Sequence, residues 1–163
     1  MKKFFTLFAA LCCIFLCSCN KNDDNANGSG TGYIKIDGIT YPLKYAVGDI
    51  SSTTDYYVLS DYRETASESD VDPSNYAAAE VVFDKTGHLQ SINFGIKKGG
   101  VTLAGESDYN FYVSSYKRSD SQVSFGFQDL SVEVYRTDKT GKQTTETCSV
   151  SISYTGSFLQ QEL

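Results

Sequence analysis

The stretch that decides the fold is residues 33–45, which read YIKIDGITYPLKY. Apolar and polar residues alternate on both sides of Asp37-Gly38, which is the pattern of strands with one buried face. Asp-Gly between two such segments predicts a tight β-hairpin, because both central residues of a type I′ turn need positive φ angles. Pro42 has no amide proton to donate, so the second strand is expected to be an edge strand or to bulge there.

The same alternation continues outward from this hairpin through the rest of the chain. About ten short strands are predicted, over residues 33–36, 39–45, 54–60, 77–84, 92–96, 101–104, 109–113, 123–127, 130–134 and 144–155. The apolar positions change from odd to even numbers near Gln128-Asp129, which requires a bulge or a tight turn. Little helix is expected. The fold class is therefore all-β, with a single antiparallel domain that is either barrel-like or a sandwich.

The first nineteen residues follow a different pattern. Lys2 and Lys3 precede a short apolar run from Phe4 to Leu16, which is too short to span a bilayer as a helix and is typical of a secretory signal. Leu16, Ser18 and Cys19 resemble a bacterial lipobox, in which the signal is removed and the new N-terminal Cys is lipidated. We therefore expect a signal peptide over residues 1–18, a lipidated Cys19 with a flexible linker over residues 19–32, and the all-β domain over residues 33–163.

The linker also contains a short pattern that resembles a localisation signal. Its residues 20–32 read NKNDDNANGSGTG, a composition that does not form a packed core. Lys21-Asn22-Asp23-Asp24 resembles the signals of surface lipoproteins of Bacteroidetes. With the lipobox and a tyrosine-rich all-β domain, the chain resembles small outer-membrane surface lipoproteins of that group. The resemblance implies attachment to the outer membrane through the lipid on Cys19, with the domain exposed at the cell surface, and it transfers no site residue.

Charge and cysteine content exclude several classes of protein. The chain has net charge −6, and removal of Lys2 and Lys3 with the signal leaves 12 basic against 20 acidic residues, or −8. Such a domain repels phosphate backbones, so no nucleic-acid partner is expected. Of five cysteines, only Cys148 would remain as a free thiol, so no internal disulfide can form. Cys148 shares a strand face with Val150 and Ile152, which predicts a buried core residue.

No catalytic residue, metal site or cofactor is expected. His88 follows a predicted turn and is interpreted as a solvated residue rather than a catalytic base. A hydrolase would need two carboxylates in one cleft, for which the strand acids are the candidates Glu80, Asp84, Glu106, Asp108 and Glu133. The acidic stretch 61–75 offers a calcium alternative, with the oxygen ligands Glu68, Asp70, Asp72 and Asn75, but it lacks the glycine and the terminal glutamate of a calcium loop.

Tyrosine is the distinctive residue, since the chain has 12 Tyr and no Trp. Most of these rings are expected to pack on strands, but some must face outward or line a cavity. The candidate ligand-binding set is Tyr57, Tyr62, Tyr76, Tyr112 and Tyr116. The first functional hypothesis is a non-catalytic module that binds a glycan or small amphiphile. The alternative is a structural or accessory subunit with a protein partner, and a carboxylate hydrolase ranks last. A pocket lined by these tyrosines would favour the first, and a filled interior the second.

Overall fold

A computed structural model describes residues 28–63 and 71–161. Within these ranges the chain forms ten β-strands and no helix. The strands are β1 (Ser29–Ile36), β2 (Ile39–Ile50), β3 (Thr54–Ser60), β4 (Tyr76–Asp84), β5 (His88–Lys98), β6 (Val101–Tyr112), β7 (Lys117–Arg118), β8 (Gln122–Thr137), β9 (Gln143–Ser157) and β10 (Leu159–Gln160). The all-β fold class is thus confirmed.

All ten strands belong to one sheet whose order of pairing is ring-like. Strand β1 pairs with both β2 and β9, so the order β1-β2-β3-β4-β5-β6-β8-β9 returns to its start. The remaining two strands are short additions, β7 on β8 and β10 on β2. The pairing between β6 and β8 is brief, because it joins only Thr102–Gly105 to Val134–Thr137. Beyond Gly105 these two strands separate, and the chain between them forms the site described below.

The backbone confirms the turn and bulge predictions. Asp37 and Gly38 have φ angles of 46° and 86°, as the predicted hairpin between β1 and β2 requires. Pro42 pairs with Tyr33 on β1, while β3 pairs with β2 only from Tyr45 onward, so Pro42 lies on an unpaired edge. The register of β8 against β9 shifts between Phe127 and Leu130, with Asp129 at a φ of 55°. The parity change therefore corresponds to a bulge within one strand.

Several strand boundaries differ from the prediction. Strand β1 begins at Ser29, so the end of the predicted linker is paired with β9 instead of being flexible. The predicted strands 101–104 and 109–113 form one strand, β6, since a bulge against β5 between Leu89 and Ser91 absorbs the irregular pattern. Strand β10 runs parallel to β2, so the sheet is mixed. Four strands have twelve or more residues, which is longer than expected.

Large side chains fill the interior of the ring. The inward faces of the strands contribute aromatic and branched residues that are under 2 % exposed, among them Tyr57, Phe83, Phe94, Phe125, Ile152 and Tyr154. Cys148 is buried with them, as its strand position predicts. Gly105 is required by this packing, because a Cβ there would lie 2.7 Å from the ring of Phe94. The buried residues form one contiguous core, which holds the strand ends in place.

In residues 28–63 and 71–161 no helix is long and apolar enough to cross a membrane. The predicted signal peptide, Cys19 and most of the linker lie outside the described residues.

Candidate functional site

The candidate site is built by the connection between β6 and β8, which folds over one end of the ring. The amide of Val113 donates to the Gly87 carbonyl at 2.9 Å, and Tyr116 closes a turn on Val113. Ser115 Oγ accepts from the amide of Gly126 and donates to its carbonyl, at 3.0 and 2.9 Å. These bonds satisfy the edge of β8 that β6 leaves open. The connection is therefore fixed, and it delivers Tyr116 and Arg118 to the ring end.

The centre of the site is Asp55, the inward-facing acid near the start of β3. Its side chain is only 2 % exposed, which would be costly for an unpaired carboxylate. Oδ1 accepts a hydrogen bond from Lys85 Nζ, and Oδ2 accepts one from the Tyr116 hydroxyl and lies 3.0 Å from Arg118 Nε. We call Asp55, Lys85, Tyr116 and Arg118 the Asp55 cluster. Both cations remain about 30 % exposed, so the cluster links the core to the surface.

Aromatic packing holds the tyrosine of the Asp55 cluster in position. The Tyr116 ring stacks on Phe83 with centroids 4.2 Å apart, and its hydroxyl lies 3.3 Å from that of Tyr57. Burial, and then the hydrogen bond to Asp55, raise the pKa of Tyr116 well above its usual range. Burial also raises the pKa of Tyr57 to about 12. Both hydroxyls are therefore neutral hydrogen-bonding groups at physiological pH, and neither is suited to act as a base.

Arg118 also lines a shallow surface depression of about 280 Å³. The described lining consists of cationic, hydroxyl and amide side chains with one valine: Lys117, Arg118, Ser119, Gln122, Val123, Ser124 and Thr155. Ser124 Oγ and Thr155 Oγ1 are 2.9 Å apart across β8 and β9. None of these seven residues is acidic. The depression is slightly smaller than the range of about 300–1,000 Å³ for clefts that enclose drug-sized ligands, so it suits one small polar group.

The structure brings three of the five predicted tyrosines to this end of the ring. Tyr57 is completely buried and presents no surface to a ligand. Tyr116 is half-buried, whereas Tyr112 is 61 % exposed and its ring meets His88 edge-on at 5.7 Å. Gly87 separates these two rings, since a Cβ there would lie 3.3 Å from each. Tyr112 and Tyr116 thus flank one turn beside the Asp55 cluster.

The other two predicted tyrosines lie elsewhere. Tyr62 and Tyr76 meet edge-on at 6.5 Å, where β3 ends and β4 begins. Asp55 lies at the opposite end of β3, so the length of that strand, roughly 20 Å, separates this pair from the Asp55 cluster. The five tyrosines therefore do not line one pocket.

The remaining catalytic candidates have neutral or solvent-exposed surroundings. Glu80 accepts from Asn93 Nδ2 at 3.3 Å and from Tyr56, and burial raises its pKa. Glu133 is exposed and accepts from the Tyr135 hydroxyl at 2.7 Å. His88 Nδ1 lies 2.7 Å from Thr86 Oγ1 within its turn. Asp84 accepts hydrogen bonds within its own turn, and Glu106 and Asp108 are exposed on β6, where Glu106 joins Glu133 in raising the pKa of Tyr135.

The calcium alternative is only partly covered by the structure. Glu68 and Asp70 lie outside the described residues. Asp72 Oδ1 accepts from the amide and hydroxyl of Ser74, at 2.8 and 2.6 Å, which makes it a local turn cap. In the two described segments no three His, Cys, Asp or Glu side chains come together as a metal site.

The charged residues of the site were not predicted from the sequence. Asp55, Lys85 and Arg118 come from a strand, a turn and a two-residue strand that are distant in sequence. One local signal was available, because Asp55 has the same parity as the apolar Tyr57 and Leu59 and so must point inward. A charged residue on the buried face of a strand requires partners, and these can be identified only from the fold.

Comparisons with protein-family models, with curated proteins and with solved structures found no match to this chain.

Proposed function

We propose that this chain is a lipid-anchored cell-surface protein with a barrel-like, non-catalytic binding domain that holds a glycan on the outside of one ring end. The observation that carries the proposal is the arrangement at that end. The half-buried ring of Tyr116 belongs to the Asp55 cluster, the exposed ring of Tyr112 lies across Gly87 from it, and Arg118 of the same cluster lines the depression. Exposed aromatic faces stack on the apolar faces of sugars, and hydroxyl and amide groups bond their hydroxyls. The filled interior argues against an amphiphile enclosed within the ring.

Rigidity supports binding as the task of this surface. Tyr116 is held by stacking and by two hydroxyl contacts, and the connection that carries it is bonded to Gly87 and Gly126. A site whose side chains are already ordered loses less conformational entropy when it binds. The anchored position follows from the lipobox at Cys19, which would place the domain at the outer surface of the outer membrane.

The direct test is a glycan array probed with the mature chain, residues 19–163, carrying Cys19→Ala so that it is not lipidated. A glycan present at ten times its Kd should stabilise the folded domain by about 1.4 kcal/mol, which corresponds to a rise in Tm of roughly 3–5 °C. Tyr112→Ala should weaken that binding about ten-fold, because it removes the exposed stacking ring. Tyr135→Ala is the matched control, since Tyr135 is 40 % exposed on the outer face of β8, away from the ring end. No array signal and no thermal shift would contradict the proposal.

A second function, that of an accessory subunit of an outer-membrane complex, is favoured by a different surface. From Ile39 to Lys44, β2 is paired with β1 only, and Ile39 is 55 % exposed. An unpaired edge that carries an exposed apolar residue is suited to a protein partner. A photo-crosslinker placed at Ile39 in cells should capture a protein if this function holds, whereas one at Tyr112 should not. Recovery of uncrosslinked monomer alone at Ile39 would contradict the accessory role.

A further inference from the structure

The depression beside the Asp55 cluster has a local charge opposite to that of the domain. The mature chain has net charge −8, yet two of the seven described lining residues are cations and none is an acid. A third cation, Lys85, lies on the far side of Asp55. Counting Lys85, Lys117 and Arg118 against Asp55 gives a charge of +2, but Asp120 in the following turn and Asp84, which precedes Lys85, lower it to 0, so the excess positive charge is confined to the lining of the depression. A small anionic group is therefore attracted to this part of an otherwise repelling surface.

The orientation of Arg118 makes the attraction specific. Its Nε is held 3.0 Å from Asp55 Oδ2, and Asp55 is in turn fixed by Lys85 and Tyr116. A guanidinium anchored through Nε still has two terminal amino groups, and these form the planar fork that pairs with a carboxylate. Because Asp55 is buried and shares its charge between two cations, it does not neutralise Arg118 completely. Arg118 is thus a preorganised cation at the surface of the depression.

The rest of the lining indicates what the anion is attached to. Ser124 and Thr155 form a hydroxyl pair 2.9 Å apart, and Ser119 and Gln122 add further hydroxyl and amide groups. Such groups bond to sugar hydroxyls. We propose that the depression takes the carboxylate-bearing unit of an acidic saccharide, with Arg118 and Lys117 on the carboxylate and the hydroxyl pair on the ring. This assignment rests on the proposed glycan-binding function and adds the requirement that the bound saccharide carry a negative charge.

The test is an array on which uronic-acid and sialic-acid glycans are each printed beside their methyl esters. The ester keeps the sugar skeleton and removes the charge. The mature Cys19→Ala protein should bind at least one acid form, and its ester should bind about ten-fold more weakly or not at all. Raising the salt concentration from 50 to 500 mM should weaken binding of the acid form, because this contact is partly exposed.

Three variants locate the contact. Lys117→Gln should weaken binding of the acid form about two- to five-fold, and Lys117 has no role in the buried Asp55 cluster, so the fold is retained. Arg118→Gln should weaken it about ten-fold or more. Asp120→Asn is the matched control in the same turn, and it should leave binding unchanged or strengthen it. A fourth, Lys139→Gln, changes an exposed lysine in the turn after β8 and should have no effect.

The outcomes separate the two proposals. Equal binding of acids and esters would overturn the charge requirement while the glycan-binding function stands. Absence of binding to any saccharide would overturn both. Binding of dextran sulfate without any carboxylated glycan would overturn the carboxylate assignment. Equally tight binding of poly-glutamate would overturn the saccharide assignment. An effect of Lys139→Gln as large as that of Lys117→Gln would show attraction by net charge alone and would also overturn the assignment.

Discussion

Replacing Asp55 with asparagine tests the centre of the site, because it keeps the shape of the side chain and removes its charge. Asp55 accepts from Lys85 through one oxygen and meets Tyr116 and Arg118 at the other. An asparagine oxygen can replace only one of these acceptors, and the amide group then points donor protons at further donors. Lys85 and Arg118 would also lose their shared counter-ion at a position that is 2 % exposed.

The expected loss in the free energy of unfolding depends on how deeply Asp55 and its two cations are buried. Removing one partner of a fully buried ion pair costs about 3–5 kcal/mol. Here the two cations are each about 30 % exposed and can turn partly toward water, so the cost falls below that range, to about 2–3 kcal/mol. For a domain of this size that loss corresponds to a fall in Tm of roughly 10 °C.

Urea denaturation of the mature Cys19→Ala protein and its Asp55→Asn derivative measures this loss directly. The midpoint should fall while the m-value stays constant, because the folded core is retained. Asp120→Asn makes the same change in charge at an exposed position and should alter the free energy of unfolding by less than about 0.5 kcal/mol. If Asp55→Asn is as stable as Asp120→Asn, the Asp55 cluster contributes no stability and Arg118 is not preorganised by it.

Three further predictions concern other parts of the molecule. Hydrogen bonds from the amide of His88 and the hydroxyl of Thr86 lower the pKa of Asp84 to about 2. The Asp84 carboxylate therefore stabilises the fold fully above its unfolded pKa near 3.8, and this stabilisation is lost as the pH falls through 2. An NMR titration midpoint near 4 for Asp84 would contradict this. Burial, together with the nearby Asp37, raises the pKa of the Cys148 thiol to about 12. A disulfide reagent at pH 8 should therefore label Cys148 only after unfolding. Rapid labelling of the native protein would disprove the burial of this thiol. Gly105→Ala should destabilise the domain by about 1–3 kcal/mol in urea, because its Cβ would meet the Phe94 ring at 2.7 Å, whereas Gly126→Ala, whose nearest contact is 3.3 Å, should cost less.

Local sequence patterns predicted most of the fold because the features concerned depend on adjacent residues. The Asp37-Gly38 turn, the bulge near Asp129 and the inward face of β9 each follow from parity or from the need for a positive φ angle. The limits of β6 were not predictable in this way. Its polar residues 106–108 indicated a break between two strands. Pairing with β5 nevertheless continues through them, because one face of the sheet is exposed to water there and accommodates polar side chains.

The site escaped prediction because Tyr116 and Arg118 reach Asp55 only through the β6–β8 connection, which folds over the ring end. Arg118 and Asp55 are 63 positions apart, and the contact exists because β6 leaves β8 after Gly105, so that the connection crosses the end of the ring. The sequence alone shows that Asp55 is a charged residue on an apolar strand face. Such a residue needs hydrogen-bonding or charged partners, but the sequence does not identify them. Tyr112 and Tyr116, which were chosen from the sequence for their aromatic rings, lie at the same end of the ring as Asp55. Both features lie at this end because the β6–β8 connection covers the open edge of β8, and that connection follows Tyr112 directly and carries Tyr116, Lys117 and Arg118.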